Sequence, residues 1–227
     1  MSINSSILRY TTVAMLALAS LPAFAVKPFT ADYQASYMGL EANGQMTLTA
    51  AGANRWTYTL NIKNTLAQLK QSTTFEDRNG QWRPLWGTDS SSLLVKKSSK
   101  NATYDWAKGE ARWSGDVKPD RAGPLKLQAG DLDAMLVNLA LARDVPAGKA
   151  LNYRMVEDGR AKQLNYQVAG KEVITVAGKE QQATKVSRTD GNKETIAWVV
   201  DGLPVPARLL QRKNGKDEID LRIKLVR

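Results

Sequence analysis

Two-residue turn signals ending in glycine recur throughout this sequence, and between them apolar residues fall at every second position. The signals are Asn43-Gly44, Asn79-Gly80, Asp158-Gly159, Ala169-Gly170, Ala177-Gly178, Asp190-Gly191, Asp201-Gly202 and Asn214-Gly215. Asn-Gly and Asp-Gly supply the positive φ that tight hairpins require. A period of two sends alternate side chains to opposite faces, the pattern of a half-buried strand. Phe29, Ala31, Tyr33, Ala35 and Tyr37 share one face, as do Trp56, Tyr58, Leu60 and Ile62. Near the carboxyl end Ile219, Leu221, Ile223 and Leu225 alternate with Asp220, Arg222 and Lys224. About a dozen such strands at short spacing predict a mostly β fold. It is a strongly curved antiparallel sheet or open β-barrel rather than a set of βαβ units.

One stretch departs from this period. Over about 131–144, Leu132, Met135, Leu136 and Leu139 lie on one helical arc, with Val137 and Leu141 nearly opposite. A helix apolar over so wide an arc is buried on more than one side. Asp131 is the expected N-cap, with Asp133 in the first turn and Arg143 at the carboxyl end. Val145-Pro146-Ala147-Gly148 stops the helix. Before it, Gly115, Pro119, Gly123, Pro124 and Gly130 break the stretch from Ser114 to Gly130 into a hinge. The expectation is a plug or lid in the concavity of the sheet.

The first 25 residues read as a signal peptide. Arg9 precedes an apolar run from Thr11 to Leu21, and Ala23-Phe24-Ala25 has the small-x-small form of a cleavage site. Cleavage after Ala25 leaves residues 26–227 as a single β-rich domain with no membrane-spanning helix, exported to the periplasm.

The sequence has no cysteine and no histidine. A disulfide framework is therefore excluded, as are Ser-His and Cys-His nucleophile pairs and most zinc or copper sites. No metal and no cofactor is implied. The net charge is +10, and +9 once Arg9 is removed. In the envelope such a surface favours anionic lipid, lipopolysaccharide or glycan. Nucleic acid is not an expected partner there.

Candidate ligand-binding residues follow from this picture. Trp82, Trp86, Trp106 and Trp113 stand beside turns or across a hairpin, where indoles either pack in the core or stack on a ligand. Leu136 and Leu139 face the concavity from the helix. Arg208 and Arg212 supply positive charge for the rim of a pocket. Carboxylate pairs for acid–base chemistry are Asp105 with Glu110 and Asp131 with Asp133.

Several stretches together carry a resemblance. They are Phe29-Thr-Ala-Asp-Tyr33 with Tyr37-Met-Gly-Leu40, Tyr104-Asp-Trp106, and Gly130-Asp-Leu-Asp-Ala-Met-Leu136. Asp158-Gly159 then precedes Tyr166-Gln-Val-Ala-Gly-Lys-Glu172, and Trp198, Asp201-Gly-Leu-Pro-Val-Pro206 and Ile219-Asp-Leu-Arg-Ile-Lys-Leu225 follow. In order and spacing the chain resembles the exported bacterial family known as domain of unknown function 3108. That resemblance implies an envelope location and a mostly β fold, and it carries no catalytic residues. In outline the chain is also similar to half-barrel lipid and lipoprotein carriers, a likeness of architecture alone.

The sequence is accordingly read as a soluble periplasmic, non-catalytic protein. It binds a hydrophobic or amphipathic envelope component in the concave face of its sheet. The alternatives are an envelope assembly or scaffold protein that binds another protein, and a carboxylate-dependent glycan hydrolase.

Overall fold

The structure is a computed structural model that describes residues 26–37, 39–93 and 96–227. The expected signal peptide lies outside the described residues. The amino-terminal meander comprises β1 (Phe29–Tyr37), β2 (Leu40–Ala50), β3 (Arg55–Lys63), β4 (Ala67–Arg78), β5 (Gln81–Leu93), β6 (Lys96–Asp105), β7 (Glu110–Gly115) and β8 (Leu125–Lys126). Helix α1 (Ala134–Asp144) follows, then a separate hairpin of β9 (Asn152–Glu157) and β10 (Arg160–Asn165). The chain closes with β11 (Gln167–Val176), β12 (Lys179–Asp190), β13 (Lys193–Val200), β14 (Arg208–Lys213) and β15 (Lys216–Val226).

Thirteen strands form one antiparallel sheet, in the order β11-β12-β13-β14-β15-β1-β2-β3-β4-β5-β6-β7-β8. The two halves of the chain join where β1 pairs with β15, placing Tyr33 opposite Ile223 and Ala35 opposite Leu221. The sheet has two ends, β11 and β8, and does not close into a barrel.

Its curvature follows from what α1 touches. The helix contacts both β4 and β13, as well as β9. In the sheet order β4 and β13 are six places apart, which in a flat sheet is roughly 30 Å. A helix is only about 10–12 Å across, so the sheet must curl around it. The helix, expected as a plug or lid, therefore lies inside the curl of the sheet. Leu136 and Leu141 have no solvent exposure, and Leu139 is buried with them in one core that also holds Tyr33, Met46, Tyr58 and Phe75. At this centre the buried Tyr33 hydroxyl donates to the Pro206 carbonyl at 2.8 Å.

Three local expectations are corrected. The N-cap is Asp133, whose side chain accepts from the Leu136 amide at 2.9 Å, and not Asp131. Leu132 is held in strand-like pairing with β9: its amide donates to the Arg154 carbonyl and its carbonyl accepts from the Val156 amide. Only after that constraint ends can the backbone turn helical. Asn43-Gly44 is not a turn; both residues lie inside β2, opposite Gln34 and Tyr33. A Cβ at Gly44 would stand 3.2 Å from the Tyr33 Cβ, so this glycine makes room for a core tyrosine. Ala169-Gly170 is likewise no turn, but a bulge within β11 where the pairing with β12 skips a residue.

Candidate functional site

One cleft of about 260 Å³ lies where the amino terminus of α1 meets the sheet. Its walls come from four adjacent strands: Gln71 and Thr73 on β4, Gly87 and Asp89 on β5, Lys100, Ala102 and Tyr104 on β6, and Trp113 on β7. The start of α1 contributes Asp133, Ala134 and Met135, and the β9–β10 turn contributes Glu157 and Asp158. A small satellite core of Tyr104, Ala111, Trp113, Leu127 and Val156 supports the floor. Within it the Tyr104 and Trp113 rings pack edge to face with centroids 6.2 Å apart. The cleft thus joins an aromatic floor to an acidic mouth.

Asp133 is fixed from two sides. One carboxylate oxygen caps the helix and the other accepts a hydrogen bond from the Thr73 hydroxyl of β4. Burial raises its pKa to about 6, against the pull of these hydrogen bonds. Glu157 keeps contact with water through the mouth of the cleft. Even so, the protein mass around it, with the charges of Asp133, Asp89 and Asp158, raises it to about 7, while Lys100 acts in the opposite sense. Among the described residues Glu157 has no hydrogen-bond or ion-pair partner. Its neighbour Asp158 is tied down, by the Lys100 ammonium at 3.2 Å and by the Arg121 guanidinium at 3.2 Å. The Tyr104 hydroxyl is held well above its ordinary range by burial and by the nearby Asp133 and Glu157.

The turn that carries Glu157 is set by local sequence. Asp158 and Gly159 both have positive φ, 51° and 70°, as an Asp-Gly hairpin turn requires. A single 3-10 turn at Pro119–Arg121 packs directly on it, so that a Cβ at Gly159 would meet the Arg121 carbonyl oxygen at 2.3 Å. The broken stretch between β7 and α1 therefore braces the mouth of the cleft.

The candidate residues from sequence divide sharply. Trp113 lines the cleft. Trp82 is buried against Phe75 with the Arg143 guanidinium 4.2 Å above its ring. Trp106 is half-buried and donates to the Pro84 carbonyl, whereas Trp86 is 52% exposed on β5. Leu136 and Leu139 are core residues. Arg208 forms a bidentate pair with Asp220 and lies 4.5 Å from the Trp198 ring; Arg212 binds Asp217 and Glu194. Both arginines sit on β14 with their charge matched, away from the cleft.

The carboxylate pairs are separated as well. Asp105 and Glu110 face each other across β6 and β7, but Asp105 accepts two turn amides and Glu110 pairs with Arg112. Asp131 is fully buried and paired with Arg154. Thr73, Asp89 and Glu157 were not legible as site residues, because each sits in an ordinary strand or turn pattern. The one local signal was Asp158-Gly159, which places Glu157 at the end of a hairpin.

Fold and cleft together define a class: an open antiparallel sheet curled around one helix, with a polar cleft at the helix amino terminus. A family model described as "Protein of unknown function (DUF3108)" matches residues 32–222, and the chain belongs to that family. No curated protein matches the chain.

Proposed function

We propose that this is an exported, non-catalytic binding protein of the cell envelope, and that the cleft takes the polar, amine-bearing end of an amphipathic envelope component. The observation that carries the reading is Glu157, an acid without a partner at the mouth of a cleft floored by Tyr104 and Trp113. A concave pocket with convergent polar groups and shifted acids is the default ligand site. At about 260 Å³ it falls just below the roughly 300–1,000 Å³ of typical small-molecule pockets. It therefore suits a monosaccharide or a headgroup rather than a whole acyl chain. An ammonium group at the mouth favours the ionised forms of Glu157 and Asp133. Acid–base cleavage of a glycan is the weaker reading, since it calls for two carboxyls shifted in opposite directions, and in this cleft both shifts are upward.

The test is calorimetric titration of the chain from Val26 onward with glucosamine and ethanolamine, using glucose as the amine-free control. Affinity for ethanolamine, whose amine stays protonated throughout, is expected to rise with pH between 6 and 8, and Glu157→Gln to weaken it at least tenfold and flatten that rise. No heat with either amine, or equal binding by Glu157→Gln, refutes the proposal.

Assembly with another envelope protein is a second reading, supported by β11. This edge strand is exposed along nearly its whole length and presents Val168 and Val173 to solvent, the form of edge that accepts a partner strand.

A further inference from the structure

The two rims of the amino-terminal meander are unlike. Because every neighbouring pair is antiparallel, the β1–β2, β3–β4 and β5–β6 tips all fall at one rim. They present Tyr37 and Leu40, then Leu66, then Leu93, which are 39%, 42%, 51% and 46% exposed. The opposite rim carries Ala51-Gly-Ala-Asn54, Asn79-Gly80 and Trp106-Ala-Lys-Gly109, mostly the small and polar residues usual in turns, with the half-buried Trp106 hydrogen-bonded back to the Pro84 carbonyl. The apolar tips stand within about two residues of one level. Lys63 lies opposite both Asn43 and Gln68, and Leu93 lies opposite Ala67, the residue after Leu66. The Asn64 side-chain amide donates to the Glu41 carbonyl at 3.2 Å, tying the first tip to the second. With strands about 4.8 Å apart, three hairpins set these tips in a row roughly 20 Å long.

Cations stand beside and behind them: Lys96 lies directly opposite Leu93, Lys97 lies opposite Ser92 one residue back, and Lys63 lies opposite Asn43, three residues behind Leu40. Lys63, Lys96 and Lys97 end the same strands, and among the described residues none has an acidic partner within 4.0 Å. Apolar groups standing forward of ammonium groups match the layering of a bilayer surface, where acyl chains lie beneath phosphate. We infer that this rim docks on an anionic membrane surface. The apolar tips enter the headgroup boundary, Lys63 and Lys97 lie at the level of the lipid phosphates, and Lys96 reaches them from beside Leu93. A protein partner fits less well, since three separate protruding tips do not make the continuous apolar patch that a protein interface buries.

This inference is independent of the cleft, and its test leaves the cleft intact. The fold described lies wholly within residues 26–227, so that chain is used, free of the apolar leader. Sedimentation with vesicles of phosphatidylglycerol and phosphatidylcholine is compared with vesicles of phosphatidylcholine alone. Partition onto the anionic vesicles is expected, falling steeply with salt. The triple variant L40D/L66D/L93D is expected to lose at least tenfold in partition, and K63E/K96E/K97E to lose both affinity and salt dependence. The chain has no cysteine, so L66C takes a single environment-sensitive label, whose emission shifts to the blue on binding. Folded wild-type protein that ignores both vesicles overturns the inference. So does unchanged partition by the folded Leu variant, or self-association of the wild type that L66D abolishes without any vesicle binding. Amine binding in the cleft is unaffected by these variants, so either proposal can fail alone.

Discussion

Replacing Asp133 by Asn should stabilise the protein at neutral pH and leave its stability in acid unchanged. Burial raises the Asp133 carboxyl from an ordinary value of 3.8 to about 6. A carboxyl with a higher pKa folded than unfolded holds its proton more tightly in the folded state. Its protonated form therefore favours folding fully below about pH 4, and that benefit disappears as pH climbs through 6. A difference of about two pKa units corresponds to about 3 kcal/mol lost between pH 4 and 8. Asn keeps the essential contacts. Its carbonyl can cap the Leu136 amide as the carboxylate does. Its amide can donate to the Thr73 hydroxyl, which then turns from donor to acceptor. The measurement is urea unfolding of wild type and D133N from pH 3.5 to 8, followed by tryptophan fluorescence. Acids held below their ordinary range act in the opposite direction; in Asp220, for example, burial is outweighed by Arg208 and Arg222. Being common to both proteins, they cancel in the difference. D133N should match wild type near pH 3.5 and exceed it by up to about 3 kcal/mol at pH 8. A difference that does not change with pH refutes the reasoning, and so does a wild type more stable at pH 8.

Two further substitutions probe the plug and the brace. Leu136→Ala should cost about 2–5 kcal/mol in urea unfolding, because Leu136 is fully buried between α1 and the sheet; a loss under about 1 kcal/mol would mark α1 as a mobile lid. Gly159→Ala forces a Cβ against the Arg121 carbonyl at positive φ. It should cost about 1–3 kcal/mol from the backbone alone, read as a lowered Tm, whereas Gly178→Ala, at positive φ but in open space, should cost less.

The legibility of the fold followed the range of its interactions. Alternation and Asp-Gly turns act over a few residues, so most strands, including β3 and β15, could be read directly. Gly44 misled because its reason is not local: it faces Tyr33 across the ladder, and the dipeptide Asn43-Gly44 looks like a turn whatever lies opposite. Asp131 misled similarly, since pairing of Leu132 with β9 delays the helix by two residues. Of the indoles only Trp113 reaches the cleft, and nothing in its own pattern separates it from Trp82 or Trp86.

By itself, then, the sequence determined an antiparallel, hairpin-built β fold with one buried helix and no histidine or cysteine chemistry, because side-chain period, turn residues and composition are local properties. Tertiary structure alone decided that the helix lies inside the concavity, that a polar cleft opens at its amino terminus, and that three apolar tips share one rim. Thr73 and Asp133 meet across 60 residues of chain, and Glu157 joins them from a separate hairpin. Burial and charge at such a meeting point depend on sheet order and curvature, which no short window of sequence contains.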